Sequence, residues 1–218
     1  MIIARLFLIL FLVQTIWSQQ VPEPPNIGKL KNAVKYYIES GSYEADIAKV
    51  YKHAQAFIEQ NLKEDTKYAV VMDIDETTLS NIIYENRFGY GYSHKTWSVW
   101  VAEKQAVAIP AAKAFYDWGR EKGITFFFVT GRKQQGTDLE VDPTVVNMKA
   151  EGFDQYGKIY LKPKIKGLKT VDYKSGARKE ITAQGYVIIA NIGDQLSDLE
   201  GGFSLSRWKI PNPMYYVK

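Results

Sequence analysis

The sequence contains no cysteine among its 218 residues. That absence excludes disulfides, a thiolate metal site and lipid attachment through sulfur. No Asn-x-Ser/Thr sequon occurs either, so N-glycosylation gives no clue to compartment. The basic residues are scattered without a long run and the net charge is only +4, so no nucleic acid polymer is implied as a partner. No apolar run reaches the about 20 residues that an anchoring helix needs, so no stable membrane anchor is expected. Internal repeats and low-complexity tracts are also missing.

What is present begins at the amino end. Arg5 precedes an apolar run from Leu6 to Val13, and the small residue Ser18 follows. This pattern predicts a signal peptide over residues 1–18, cleaved after Ser18, with an uncleaved segment as the alternative. The expected location is therefore secreted or periplasmic, and an export signal without disulfides fits a bacterial envelope somewhat better than a disulfide-rich scaffold. The remaining chain, 46% hydrophobic and 14% aromatic in the full sequence, can bury one complete core.

After a proline-rich leader, helical spacing predicts a short helix over Leu30–Glu39 and a longer one from Ile47 to about Asn61. From Tyr68 onward, strands alternate with helices. The strand candidates are Tyr68–Ile74, Ile124–Thr130, Lys158–Leu161 and Tyr186–Ile192; the helix candidates are Pro110–Lys122, Pro143–Glu151 and Lys174–Gln184. The alternation predicts an α/β fold with a parallel sheet covered by helices on both faces. In such sheets ligands bind beyond the carboxyl ends of the strands. Residues 19–218 then form one domain, with a helical part over about 29–62. Between the first two core strands, the insert 81–109 carries Tyr84, Phe88, Tyr90, Tyr92, His94, Trp97 and Trp100. It reads equally well as a cap facing substrate or as a minor aromatic core.

The candidate chemistry lies at the strand ends. Asp73-Ile74-Asp75-Glu76-Thr77 places two acids one residue apart, and strand alternation would point both to one face. Burying two carboxylates together is costly, so the pair calls for a cation, a substrate or a catalytic task. A carboxylate can attack phosphorus, and a second can handle the proton, provided a divalent cation keeps the nucleophile ionised beside an anion. Mg²⁺ suits such an all-oxygen site. Thr130 and Gly131 at the next strand tip can hold phosphate oxygens. Lys174, read as opening a helix, can offset charge on the nucleophile and the phosphate. Asp194 can complete the cation site, and Asp198 can support Lys174 or water ligands.

The order of these segments carries more than any of them singly. Asp73, Thr130, Lys174 and Asp194 follow one another at intervals of 57, 44 and 20 residues, and three of the four close an apolar run. Here the chain resembles the haloacid dehalogenase-like phosphatase superfamily. Asp73–Asn81, Tyr173-Lys174-Ser175, Gly193–Leu199 and Pro211–Tyr216 resemble more narrowly its class B and plant-type acid phosphatase branch, which includes vegetative storage proteins. The resemblance implies a Rossmann-like parallel sheet with a small helical and aromatic cap. It implies Asp73 as nucleophile, Asp75 as general acid/base, and Thr130, Gly131 and Lys174 as the phosphate clamp. Asp73, the backbone carbonyl of Asp75, and Asp194 are implied as Mg²⁺ ligands. The expected activity is hydrolysis of small-molecule phosphate monoesters through an aspartyl-phosphate. A storage or binding protein with residual activity and a phosphotransferase are the alternatives. A signalling receiver domain would lack the late Gly-Asp-x-x-x-Asp.

Overall fold

The structure, a computed structural model, describes residues 24–217. The expected export segment, residues 1–18, lies outside the described residues.

Helix α1 (Ile27–Glu39) starts three residues before the predicted point, because the Asn26 side chain caps the amides of Gly28 and Lys29. Helix α2 (Ser42–Asn61) also begins earlier than its predicted start at Ile47. Ser40-Gly41-Ser42 signals a stop in the sequence, but Gly41, at φ 78°, makes a turn that runs straight into the next helix. Tyr43, Ile47, Tyr51, Ala54 and Ile58 form its buried stripe.

Strand β1 (Tyr68–Met72) is buried along its whole length, as expected of a central strand covered on two faces. The insert that follows holds β2 (Leu79–Ser80), α3 (Ile82–Arg87), α4 (His94–Glu103) and β3 (Val107–Ala108), with β2 and β3 paired antiparallel. The chain then alternates through α5 (Pro110–Glu121), β4 (Thr125–Lys133), α6 (Pro143–Ala150), β5 (Lys158–Lys162), α7 (Thr170–Ala183) and β6 (Val187–Gly193). It finishes with α8 (Leu196–Leu199) and β7 (Arg207–Lys209). The five-stranded sheet has the order β5-β4-β1-β6-β7, and every pairing in it is parallel. The fold is a Rossmann-like α/β sheet.

Strand alternation divides the core between two faces. Val70, Met72, Phe126 and Phe128 join a cluster with residues of α2, α5 and α6. Ala69, Val71, Phe127 and Val129 pack on the opposite face with Ala177 and Ile181 of α7. Each fully buried phenylalanine contributes about 1.5–3 kcal/mol, so the run Phe126-Phe127-Phe128 feeds both cores at once.

Three local expectations are corrected. β1 ends at Met72, so Asp73 and Asp75 lie beyond the strand and alternation does not orient them. β4 does not stop at Thr130 but continues through Gly131 to Lys133, with a shift in register against β5 between Thr130 and Lys133. Lys174 does not open its helix: α7 starts at Thr170, and Lys174 is its fifth residue.

Candidate active site

The carboxyl ends of β1, β4 and β6 meet beneath a cavity of about 530 Å³. Asp73, Asp75, Gly131, Arg132, Lys174, Asp194 and Asp198 all contribute to its lining. This is the position at which open parallel sheets bind ligands.

Instead of alternation, a tight turn brings the two acids to one cavity. The amide of Asp73 still donates to Ile192 O of β6 (3.0 Å). The carbonyl of Ile74 then accepts from the amides of Thr77, Thr78 and Leu79, and Glu76 takes a left-handed φ of 51°. The Thr78 hydroxyl donates to Asp73 O (2.6 Å), and the Tyr51 hydroxyl of α2 donates to Thr77 O (2.8 Å). Both bonds are buried, so the turn is fixed from below.

The acids then enter different surroundings. Asp73 is buried and accepts from Lys174 Nζ at 2.5 Å. The same ammonium donates to Asp198 Oδ1 at 2.6 Å, while Asp198 Oδ2 accepts from the amide of Gln195 at 2.8 Å. Asp75 turns away toward Arg132, whose Nε and Nη2 donate to Asp75 Oδ1 at 3.0 and 2.6 Å. Asn81 Nδ2 adds a third bond to Asp75 Oδ1 at 2.9 Å.

Asp194 stands among neutral donors: Gln195 Nε2 (2.6 Å), Asn212 Nδ2 (2.7 Å) and, more distantly, the Thr77 hydroxyl (3.4 Å). Carboxylate oxygens of Asp73, Asp194 and Asp198 all lie within 4.8 Å of one another. Against these three carboxylates, Lys174 is the ammonium in direct contact, so the fully ionised cluster carries two excess negative charges. Burial pushes Asp73 well above the usual carboxylate range, with Lys174 opposing and the other aspartates adding to the rise. Burial and Asp198 lift Asp194 to about 7. For Lys174, burial alone would lower the pKa, but Asp73 and Asp198 outweigh it and keep the amine protonated. The donor set is entirely hard oxygen and its deficit is two charges, which fits a divalent cation. The cluster includes Asp198, whose expected role was support; in the structure it both holds Lys174 and borders the other two acids.

Thr130 is fully buried, and its Oγ1 accepts from the Arg132 amide (3.1 Å). Among the described residues its hydroxyl donates to no protein group, so the proton remains available. Gly131, rather than Thr130, forms the cavity surface at this strand end. Gly193 serves by lacking a side chain: a Cβ there would lie 2.3 Å from Asp198 Cβ. The Gly-Asp-x-x-x-Asp spacing thus reflects the close return of α8 onto the end of β6.

Several residues of the site carry no assignment from sequence. Glu76 is completely buried; it accepts from the Asn81 amide (2.7 Å), from Asn81 Nδ2 (3.2 Å) and from the Tyr215 hydroxyl (2.5 Å). Burial and then the neighbouring Asp75 raise it to about 8. The Asn81 side-chain oxygen accepts from Trp100 Nε1 (2.8 Å) and Arg132 Nη2 (3.3 Å), which ties the insert to the acids. Arg178, four residues after Lys174 and so on the same face of α7, donates to Asp198 O (2.7 Å), Gly202 O (2.9 Å) and Glu200 O. These contacts fix the segment that carries Asp194 and Asp198. The Glu in Asp-x-Asp-Glu and the Arg after Thr-Gly were the available signals for two of these residues; Asn81 bonds Asp75 and Glu76 locally, while its bonds with Trp100 and Arg132 and the partners of Arg178 are set by tertiary structure.

The aromatic insert splits between its two readings. Tyr84 and Trp100 are buried and pack together, whereas Tyr90, Tyr92 and Trp97 line the cavity.

A family model described as HAD superfamily, subfamily IIIB (Acid phosphatase) matches residues 19–218. Vegetative storage protein 1 of Arabidopsis thaliana is 33% identical over 187 residues, covering 84% of this chain and 68% of the relative. Acid phosphatase 1 of Solanum lycopersicum is 32% identical over 190 residues, covering 84% and 73%. Among solved structures, the class C acid phosphatase from Bacillus anthracis aligns with a TM-score of 0.69 at 26% identity, covering 86% of this chain and 85% of its own.

Proposed function

The chain belongs to subfamily IIIB of the HAD superfamily, the acid phosphatases, and from that premise we propose that it hydrolyses small phosphate monoesters through a phosphorylated Asp73. Phosphatase activity follows from the family; the residue roles are our reading. One observation supports them above the rest: two acids of one turn line one cavity, Asp73 against Lys174 and Asp75 against Arg132.

In the first step an Asp73 carboxylate oxygen attacks phosphorus and the bond to the ester oxygen breaks. Asp75 delivers a proton to that leaving oxygen. In the second step Asp75 takes a proton from water, the water oxygen attacks phosphorus, and the acyl-phosphate bond breaks. Inorganic phosphate leaves and Asp73 returns as a carboxylate. Thr130, the Gly131 backbone and Lys174 bind the non-bridging phosphate oxygens, and Arg132 with Asn81 orients Asp75. Asp73, Asp194 and the Asp75 backbone carbonyl would hold the divalent cation, which we assign as Mg²⁺, with Asp198 as support. The bound cation supplies the charge neutralisation that lets an anionic ester approach an ionised Asp73.

We also read residues 1–18 as an export signal cleaved after Ser18, which places the enzyme in a secreted or periplasmic compartment. Amino-terminal sequencing of exported protein should then begin at Gln19. Residues 19–218 are read as one domain, with the helical part 29–62 and the insert 81–109 acting as a cap; Tyr90, Tyr92 and Trp97 on the cavity wall support that role.

The test is hydrolysis of an aryl phosphate with Mg²⁺ by the wild type and by Asp73→Asn. A loss of at least about a thousandfold in kcat is expected for a nucleophile. Equal rates for the two proteins, or none for either, would overturn the mechanism. The storage-protein relatives favour a second reading, storage with residual activity, which predicts slow turnover that Asp73→Asn does not alter. A phosphotransferase would instead phosphorylate added alcohol at the expense of free phosphate.

A further inference from the structure

A second chamber of about 440 Å³ opens beside the catalytic cavity and shares Tyr92, Trp97, Gly131 and Arg132 with it. Its electrostatics are opposite. The catalytic cavity is crowded with carboxylates, whereas no aspartate or glutamate lines the second chamber. Lys133 and Lys164 do, together with the side-chain amides of Gln134 and Gln135.

The surrounding backbone concentrates more positive charge there. Between Asp154 and Asp172 the chain carries five lysines and no acid. Lys164, Lys166 and Lys169 are exposed on the loop from β5 to α7, and Lys133 is exposed at the end of β4. Among the described residues, none of these four forms an ion pair, and neither does Lys162. Lys133 and Lys162 are also direct cross-strand partners in the β4–β5 ladder. The pairing is parallel and follows the register shift after Thr130, and it sets two like charges side by side at this strand end. Burial, then Lys133 and then Lys174, hold the Lys162 amine below its ordinary range. Lys162 donates to the Thr170 hydroxyl (2.8 Å) and stays out of the chamber, which leaves Lys133 and Lys164 as the ammonium groups available to an anion that arrives there with the substrate.

We infer that this chamber is a subsite for a second phosphate group, so that bisphosphorylated small molecules are preferred over monophosphates. One phosphate sits over Asp73 and the other between Lys133 and Lys164, with Gly131 at the passage between them. The chemistry at Asp73 is unchanged, and the subsite acts through binding. The inference rests on the assignment of Asp73 as the centre of transfer.

The experiment compares kcat/KM for fructose 1,6-bisphosphate with that for fructose 6-phosphate. In the wild type the ratio should be about fivefold, above the roughly twofold advantage of carrying two phosphates, from two exposed charge contacts. Lys133→Gln/Lys164→Gln should bring the ratio to about two or less. Lys63→Gln/Lys122→Gln, which removes the same charge from exposed positions at the amino edge of the sheet, should keep it. In the wild type itself, ionic strength of about 1 M, where the screening length is about 3 Å, should erode the ratio without any substitution. A wild-type ratio near two, or equal loss in both double variants, overturns the subsite. Aryl phosphate turnover that survives Asp73→Asn overturns the transfer centre instead, so the two failures are distinguishable.

Discussion

Replacing Arg178 by methionine sets two opposing terms against each other. The guanidinium is fully buried and bonds three backbone carbonyls, that of Asp198 in α8 and those of Glu200 and Gly202 just after it. Asp198 O also accepts from Asn191 Nδ2 at 2.8 Å, so it keeps a partner in the variant. Glu200 and Gly202 are exposed, and water can reach their carbonyls. Two bonds from a charged donor are therefore lost, each contributing about 1.5–3 kcal/mol, with solvent access favouring the lower figure. Their loss costs about 3 kcal/mol. Against this, burial holds the Arg178 pKa down at about 10, despite the pull of Asp198, and methionine recovers that desolvation cost. Asn191, and Ser175 through its bond to Gly201 O (2.7 Å), also hold this segment, so we expect a net loss of about 2 kcal/mol. Urea denaturation should show a lower midpoint at unchanged slope, with a fall in Tm of roughly 4–8 °C. The kcat for aryl phosphate should fall more than KM rises, since displacement of Asp198 frees Lys174 from its second carboxylate. An unchanged or higher midpoint would mean that desolvation outweighs the bonds and that the loop holds itself.

Two further outcomes follow from the buried acids. Glu76 is raised from 4.5 to about 8 in the folded state, so its contribution to stability is complete below about pH 4.5 and is lost as pH rises toward 8. In metal-free protein Glu76→Gln should flatten that decline, by at most about 5 kcal/mol; parallel stability–pH curves for the two proteins would refute the assignment. Asp194, raised to about 7 by burial and by Asp198, would have to lose its proton to serve as the Mg²⁺ ligand proposed above. Calorimetry in buffers of different ionisation heat should show proton release on Mg²⁺ binding, with affinity weakening about tenfold per unit below pH 7 and less steeply in Asp194→Asn.

The sheet was legible from sequence because Tyr68–Met72 and Phe126–Val129 are apolar without interruption, as central strands of a parallel sheet must be. β7 was not, since Arg207-Trp208-Lys209 is short, polar and at an edge. Helix starts were misplaced where a turn residue stood inside a continuous path: Gly41 joins two helices, and Thr170 begins a helix whose informative residue, Lys174, comes a turn later. At the site, the aspartates and Lys174 stand out in sequence by type and spacing, and the structure brings them to one cavity. Their orientation was not readable. Asp73 and Asp75 converge through the turn closed on Ile74 O, and the bonds of Arg132 to Asp75, of Trp100 to Asn81 and of Arg178 to Asp198 span 19 to 57 residues.

The strand order also governs when the site can exist during folding. β1 takes its neighbours from β4 and β6, so Ala69 pairs with Thr125 on one side and with Ile188 on the other. No local hairpin can hold Asp73 in place, and its lysine and third carboxylate arrive only after the crossover through α7 has closed. Contacts this distant in sequence make folding slow, because loop-closure entropy is spent before they form. Until β6 docks, Asp73 belongs to a strand with one edge open, and the three-carboxylate cluster has not assembled. A cation held by the proposed cluster would therefore report that β6 has docked beside β1, whatever the state of the edge strands β5 and β7.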